Sequence, residues 1–403
     1  MIALPTRHVA KPSVSSRRSL RGIGMTKMGK LVCELIALPS VNPAFLSAND
    51  PHAGEQRVAD FLAAAGRRAG LEVESQPVFP NRANLLVRLS PRGRIEQRVV
   101  LAPHLDTVGG DEIPGSLFTP RAQHGRLHGR GACDTKGSVG AMFAALCEVA
   151  QSRERPERTE IIFAGLVDEE NGQGGSRALV ASGFKADLAI VGEPTRVRTV
   201  TAHKGDLWLQ LETRGKAAHG ARPELGRNAV HAMARIVDCL ETTYAGQLRR
   251  RRHALLGHAT VNVGAIAGGG QPNIVPDRCV ISVDRRTLPG EEDAEVKREI
   301  KTLLRRQHLA ARLIDSKGVP CRPLETSPKH PLVGRMLRCT GQKRPLGVDY
   351  FSDAGVLADG QIPSVLFGPG DIAQAHTPDE WVELHQLEQA KNLLVAFLKS
   401  LSS

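Results

Sequence analysis

Two histidines and a set of carboxylates stand where apolar runs of this sequence stop. The run 98–102 leads into Pro103-His104-Leu105-Asp106, and the run 160–167 into Asp168-Glu169-Glu170. A third, 187–191, leads into Gly192-Glu193-Pro194. The last, 363–367, leads into Gly368-Pro369-Gly370 and then Ala375-His376-Thr377. A fifth piece, from Gly129 to Gly137, carries Asp134 just ahead of an apolar helical pattern, near a helix N-terminus. Ligands of open α/β sheets gather beyond the carboxyl ends of the strands, so these groups converge although far apart in the chain. Imidazoles and carboxylates without thiolates suit Zn²⁺, Mn²⁺ or Co²⁺. Two histidines and three carboxylates exceed one tetrahedral site with an open position. They match two metals roughly 3.5–4 Å apart that share a carboxylate, activate a water and polarise a carbonyl. Neighbours in an extended segment point opposite ways, so only one of Glu169 and Glu170 can easily face such a centre. Taken singly each piece is ordinary: there are 14 histidines, and an acidic pair is usually a solvated turn. Their joint placement at successive strand ends is what points to chemistry.

Periodicity shows which helices and strands carry these groups. Helices are predicted over 30–38, 54–70 and 137–150, alternating with the short apolar runs. Short β-rich runs separated by helices imply an α/β fold with a mostly parallel sheet. The pattern changes after Pro194. A strand is expected over 199–213, where Leu207, Leu209 and Leu211 alternate, then a helix over 228–243, strands over 260–265 and 278–284, and a helix over 293–307. This order reads as a two-layer α+β unit. From about residue 319 the α/β pattern resumes, with a buried strand over 363–367 and a closing helix over 384–401. The expected organisation is a basic tail over 1–26, a catalytic domain in two parts, 27–198 and 317–403, and an inserted α+β domain over 199–316.

Composition narrows the classes. The chain has 403 residues, 41% of them hydrophobic and 24% charged, enough to bury a large core without staples. No apolar run approaches the roughly 20 residues that span a bilayer, so no membrane role is expected. The net charge is +12, but seven basic residues within 1–33 and the run Arg249 to Arg252 account for eleven of those charges. With 3% aromatics and no nucleic-acid motif, nucleic acid is not the expected partner. Seven scattered cysteines without a C-x-x-C pair fit free thiols in a reducing cytoplasm. The first ~25 residues lack the apolar core of a signal peptide. They are expected to be a disordered, dispensable tail, with a true start at Met25 or Met28, or a transit peptide, as the alternatives.

The motifs Ala102-Pro103-His104-Leu105-Asp106-Thr107-Val108, Gly129-Arg130-Gly131 through Asp134-Thr135-Lys136-Gly137, Asp168-Glu169-Glu170, Val191-Gly192-Glu193-Pro194-Thr195 and Gln374-Ala375-His376 occur in one order. With them the sequence resembles the M20-type metallopeptidases and amidohydrolases from about residue 27 to the C-terminus. Thr135 stands where Met is usual. The resemblance implies a di-metal catalytic domain interrupted by a dimerisation or lid domain, with two divalent ions, Zn²⁺ first and Co²⁺ or Mn²⁺ as alternatives. It implies one metal on His104, Asp134 and Glu193, a second on Asp134, Glu170 and His376, and Asp134 as the bridge. Asp106 would orient His104, and Glu169 would be the general base and acid. Lys216-Ala217-Ala218-His219-Gly220 resembles the segment whose histidine enters a partner subunit's site, so a homodimer is implied with His219 at the oxyanion. Gly268-Gly269-Gly270 with Asn273, and Asp284-Arg285-Arg286 through Pro289-Gly290, resemble the stretch that binds the substrate's free carboxylate, with Arg286 as the recognising residue.

The implied reaction is hydrolysis of the amide of a small N-acyl amino acid. Ala202-His203-Lys204-Gly205 and Gly368-Pro369-Gly370 through Glu380 are more similar to the acetylornithine deacetylases of the family, a step towards arginine, than to the succinyl-diaminopimelate desuccinylases. The alternatives are that desuccinylase or a broad N-acyl amino acid hydrolase or carboxypeptidase. A metal-free homologue serving as a binding protein would have lost a ligand or the base, and every matching position carries a competent residue.

Overall fold

A computed structural model describes residues 25–109, 114–315 and 318–402 of the chain. The basic tail expected over 1–26 therefore lies outside the described residues as far as residue 24, as does position 316 at the expected end of the insertion. In chain order the elements begin α1 (Lys27–Ile36), α2 (Gln56–Arg68), β1 (Glu72–Phe79), β2 (Arg82–Leu89), β3 (Gln97–Pro103), β4 (Arg121–Gln123), β5 (Arg126–His128), α3 (Lys136–Ala150) and β6 (Thr159–Gly165). Then come α4 (Gly174–Ala181), β7 (Leu188–Gly192), β8 (Val200–His203), β9 (Gly205–Arg214), α5 (Ala229–Cys239), α6 (Ala245–Leu248), β10 (Thr260–Gly268), β11 (Arg278–Thr287) and α7 (Asp293–Arg306). Last are β12 (Arg312–Asp315), β13 (Leu324–Glu325), α8 (Pro331–Cys339), β14 (Leu346–Val348), α9 (Asp353–Asp359), β15 (Ser364–Leu366), β16 (Trp381–Glu383) and α10 (Leu384–Lys399).

The chain divides into two compact units. The first comprises residues up to Asn171, Gly192–Val197 and the chain from Phe367 onward. Its strands run in the order β1-β2-β6-β3. β1 and β2 form an antiparallel hairpin, β2 and β6 pair antiparallel, and β3 pairs parallel with β6. The expected α/β fold is present, with a sheet that is mixed where a mostly parallel one was expected. The reason is local: only Pro80 and Asn81 separate β1 from β2, and Asn81 takes φ 61°. A two-residue connection can join only antiparallel strands. A smaller antiparallel sheet, β16-β5-β4, joins the chain around His128 to the chain around Trp381.

Helices α1, α3 and α10 pack together in this unit. Val32, Ile36, Leu127, Val382 and Leu387 are among the buried residues of their core. Gly140 on α3 lets α1 approach: a Cβ there would lie 2.8 Å from both Met28 Cε and Val32 Cγ2. Thr26 caps α1, its hydroxyl accepting from Gly29 N at 3.1 Å. Met25 Sδ lies 3.5 Å from Cys33 Sγ. A chain beginning at Met25 keeps these contacts. We expect it to melt at the same temperature as the full chain and to turn over equally, as read by calorimetry and steady-state kinetics. A lowered melting temperature would make residues 1–24 part of the fold.

The second unit comprises Gly172–Val191 and Arg198–Leu366. β15 pairs parallel with β7 and antiparallel with β8, and β8 also takes β13 and β14. A separate antiparallel sheet runs β10-β11-β9-β12. Leu207, Leu209 and Leu211 share a core with Met233 and Ile236 of α5 and Ile300 and Leu303 of α7. The strand expected over 199–213 is two strands, since β8 and β9 join different sheets. Gly205 permits the break: a Cβ there would run into Thr287 Oγ1 and come 2.6 Å from the Cys321 carbonyl.

His203 of β8 is fully buried. Its Nδ1–H donates to the Lys204 carbonyl at 2.9 Å, and among the described residues Nε2 finds no hydrogen-bond partner. Burial pushes this imidazole down to about 4, below its ordinary 6.5. The unfolded chain therefore takes up a proton below pH 6.5 that the folded chain refuses until about pH 4. Stability falls as pH drops through that window, by up to about 1.4 kcal/mol per pH unit. His203→Asn should flatten the dependence of denaturant midpoint on pH between 6.5 and 4 relative to the unsubstituted chain. An unchanged slope would exclude His203 as its source.

Candidate metal centre

Strand β3 carries the chain to His104, whose backbone bridges Leu166 beyond the end of β6. His104 is buried; its Nδ1–H donates to the Asp106 carbonyl at 3.0 Å, which turns Nε2 towards Asp134 Oδ1, also at 3.0 Å. Asp134 lies in the buried turn before α3. Its other oxygen, Oδ2, is 3.3 Å from His376 Nε2, and that same nitrogen is 3.3 Å from Glu170 Oε2. One carboxylate thus stands between the two imidazoles. His104, Asp134 and Glu170 offer ligand atoms within 4.8 Å of one another. His376 is exposed, with φ 59°. Glu193 is buried immediately after β7, in the same unit as the others. Glu169 is also buried.

Asp106 holds this arrangement from behind. Its carboxylate is 3.5 Å from His104 Nδ1, and it accepts from the Glu169 and Glu170 backbone N–H groups at 3.1 Å each. Asp106 thus contacts the histidine chiefly through its backbone carbonyl and the acidic pair through its carboxylate. Asn42 Nδ2 donates to Asp106 at 2.8 Å and to Asp168 at 3.0 Å. Arg82 pairs with Glu55 at 2.6 Å and with Asp168 at 3.3 Å. Asp168 takes φ 70°, a left-handed conformation that re-aims the chain just before Glu169.

The electrostatics suit a cation. Burial and the Asp134 charge push the Glu170 carboxyl up to about 7. Burial opposes ionisation of Asp134, but bonds from His104 and His376 hold it well below the usual carboxylate range. Bonds to Asp134 and Glu170 push His376 up to about 10. Glu170 Oε1 is buried and finds no hydrogen-bond partner among the described residues. Clustered imidazole and carboxylate donors with a buried oxygen left over fit divalent ions of the zinc type.

The other residues singled out in the sequence belong to the second unit. His219 is exposed, and its backbone bridges Ile274. Asn273 lies beside it, its carbonyl accepting from Gly220 N at 2.7 Å. Arg286 of β11 pairs with Asp284 through Nε at 2.9 Å and Nη2 at 3.0 Å. Asn42, Glu55 and Arg82 carry no motif signal of their own and were not singled out in the sequence. Nor was any role expected of Glu380, although that residue closes the stretch that begins at His376.

The model of Peptidase family M20/M25/M40 matches residues 100–400. The chain belongs to this family. An acetylornithine deacetylase from Edwardsiella ictaluri is 31% identical to this M20 chain over 377 residues, covering 90% of it and 95% of that enzyme. Among solved structures, aminopeptidase PepT from Bacillus cereus has a TM-score of 0.75 at 22% identity, covering 94% of this chain and 98% of that one. A dinuclear metal-binding M20 peptidase from Bacillus subtilis has a TM-score of 0.67 at 12% identity, covering 93% and 97%. These likenesses show the M20 fold. This M20 chain is an enzyme that hydrolyses amides with metal, and its centre is a candidate for the ions. Among its described residues no helix is long and apolar enough to cross a membrane.

Proposed function

We propose that this enzyme removes the acyl group of a small N-acyl amino acid, with N-acetylornithine as the substrate and ornithine, on the way to arginine, as the product. The observation that carries the metal chemistry is the Asp134 carboxylate, which offers one oxygen to the His104 side and the other to the His376 side. His104, Asp134 and Glu193 would hold one ion, and Asp134, Glu170 and His376 the other, with Zn²⁺ first and Co²⁺ or Mn²⁺ able to replace it. Such a pair supplies Lewis acidity for the substrate carbonyl and makes water acidic enough to deprotonate near neutral pH. Glu169 accepts the proton of the attacking water and returns it to the leaving amine. Asp106 keeps Glu169 and His104 in place. His219 donates to the developing oxyanion, and Arg286 with Asn273 receives the free carboxylate of the substrate.

Two features support the substrate over its relatives: the 31% identical deacetylase and the Ala202-His203-Lys204-Gly205 motif. In this reading 27–198 and 317–403 form the catalytic domain, 199–316 is inserted as a lid and dimerisation domain, and the enzyme is a homodimer. Seven free thiols suit the cytoplasm. A product-release screen tests the reading, using N-acetylornithine, N-succinyl-diaminopimelate, other N-acyl amino acids and dipeptides with Zn²⁺ or Co²⁺ added. The expected result is the highest kcat/KM for N-acetylornithine. A higher value for another member of the panel would replace the substrate and leave the hydrolase.

A further inference from the structure

The turn that presents Asp134 makes its most concentrated set of hydrogen bonds to a side chain far along the chain. Residues 131–134 are buried, and Gly131 takes φ 81°, where a Cβ would come 2.9 Å from Lys136 Cδ. The N–H groups of Cys133 and Asp134 both donate to Glu380 Oε1 at 2.9 Å. Gly131 N–H donates to Glu380 Oε2 at 2.9 Å, and Arg130 Nη1 donates to the same oxygen at 3.1 Å. A carboxylate has about four acceptor positions, and here four donors use them. The Glu380 side chain is 2% exposed. Its backbone carbonyl also accepts from Gly129 N at 3.0 Å. Glu380 directly precedes β16, whose Trp381 pairs with His128 at the end of β5, so the strand pairing brings the carboxylate to the turn. Four residues earlier on the same segment stands His376.

We propose that Glu380 is a positioning residue whose carboxylate sets the backbone that presents Asp134 and ties it to the segment that presents His376. It would fix the affinity and geometry of the metal centre through these bonds, not as a ligand. The inference rests on the reading of Asp134 and His376 as ligands. Charge-assisted bonds to one saturated carboxylate leave no isosteric substitute. In Glu380→Gln the amide nitrogen must face either the Cys133 and Asp134 N–H groups or the Gly131 N–H and Arg130. Either orientation sets donor against donor. Glu380→Asp keeps the charge but is one methylene short of the turn.

The test uses the full chain stripped by chelator and titrated with Co²⁺ alone, followed by visible absorption. Hydrogen exchange across 129–135 is measured in the metal-free protein. Glu380→Gln should bind Co²⁺ on the order of 10–100-fold more weakly, the range for losing a group that orients a ligand. It should also change the visible band and speed exchange at Gly131, Cys133 and Asp134. Arg130→Met removes one of the four donors and should move all three readouts the same way by less, which keeps the test decisive if Glu380→Gln does not fold. A lowered melting temperature with unchanged Co²⁺ affinity and spectrum would overturn the proposal and leave Glu380 a stabiliser only. Failure of the unsubstituted chain to bind Co²⁺ would instead overturn the ligand reading beneath it.

Discussion

Glu169→Gln is expected to keep its metal and lose on the order of 10²–10⁴-fold in kcat, the contribution of a general acid–base group. The amide keeps the shape of the buried side chain but cannot accept the proton of the attacking water. The backbone bond from Glu169 N to Asp106 does not involve the substituted group, so the neighbouring proposed ligands are expected to stay in place. Glu170→Gln makes the contrast. Glu170 Oε2 faces His376 Nε2 at 3.3 Å, and its partner oxygen is buried without a hydrogen bond among the described residues. Neutralising it should lower metal content as read by elemental analysis, with activity falling in parallel. Near-normal kcat in Glu169→Gln would remove that residue from the role of base. Loss of metal there and its retention in Glu170→Gln would exchange the two assignments.

His219→Ala should lose roughly 10²–10³-fold in kcat, the range for one oxyanion donor. The size of the loss does not say which chain supplies the histidine, but mixing does. An inactive Glu169→Gln protein and an inactive His219→Ala protein are combined and allowed to exchange subunits. Supply from a second subunit predicts recovered activity in the heterodimers. Each would contain one good site, built from the intact centre of the His219→Ala chain and the histidine of the other. Such a C2 dimer places the same patch of each chain opposite the other's site. No recovery at any ratio, with exchange confirmed by mass, would sink the dimer and place His219 over the site of its own chain.

What was legible in the sequence was the set of strands that end in polar groups. β3, β6, β7 and β15 are short apolar runs, and the residues just beyond them include His104, Glu169, Glu170 and Glu193. Helices α2, α3, α5, α7 and α10 were legible from apolar spacing, within a few residues of their observed ends. The hairpin β1–β2 was not, because β1 is mostly exposed and reads as polar. β4, β5 and β16 have three residues each, too few for any period. The division between β8 and β9 depends on close approach at Gly205, a contact with residues much later in the chain. The groups behind the centre were hidden for a related reason. Asn42 and Asp106 are 64 residues apart, and Gly131 and Glu380 are 249 apart. What these partners do depends on where backbone N–H groups point, and residue type alone carries no such information.

Asp134 as the bridge between two divalent ions can be checked by locating the ions themselves. Crystals of the chelator-stripped protein would be soaked in Zn²⁺ and measured at the zinc absorption edge. Two anomalous peaks per chain are expected, separated by roughly 3.5–4 Å, the spacing of two-metal hydrolytic sites. One should lie against His104 and Glu193 and the other against Glu170 and His376, with the Asp134 carboxylate between them. A single peak, or none at these residues with the protein shown to be folded, would contradict the bridge.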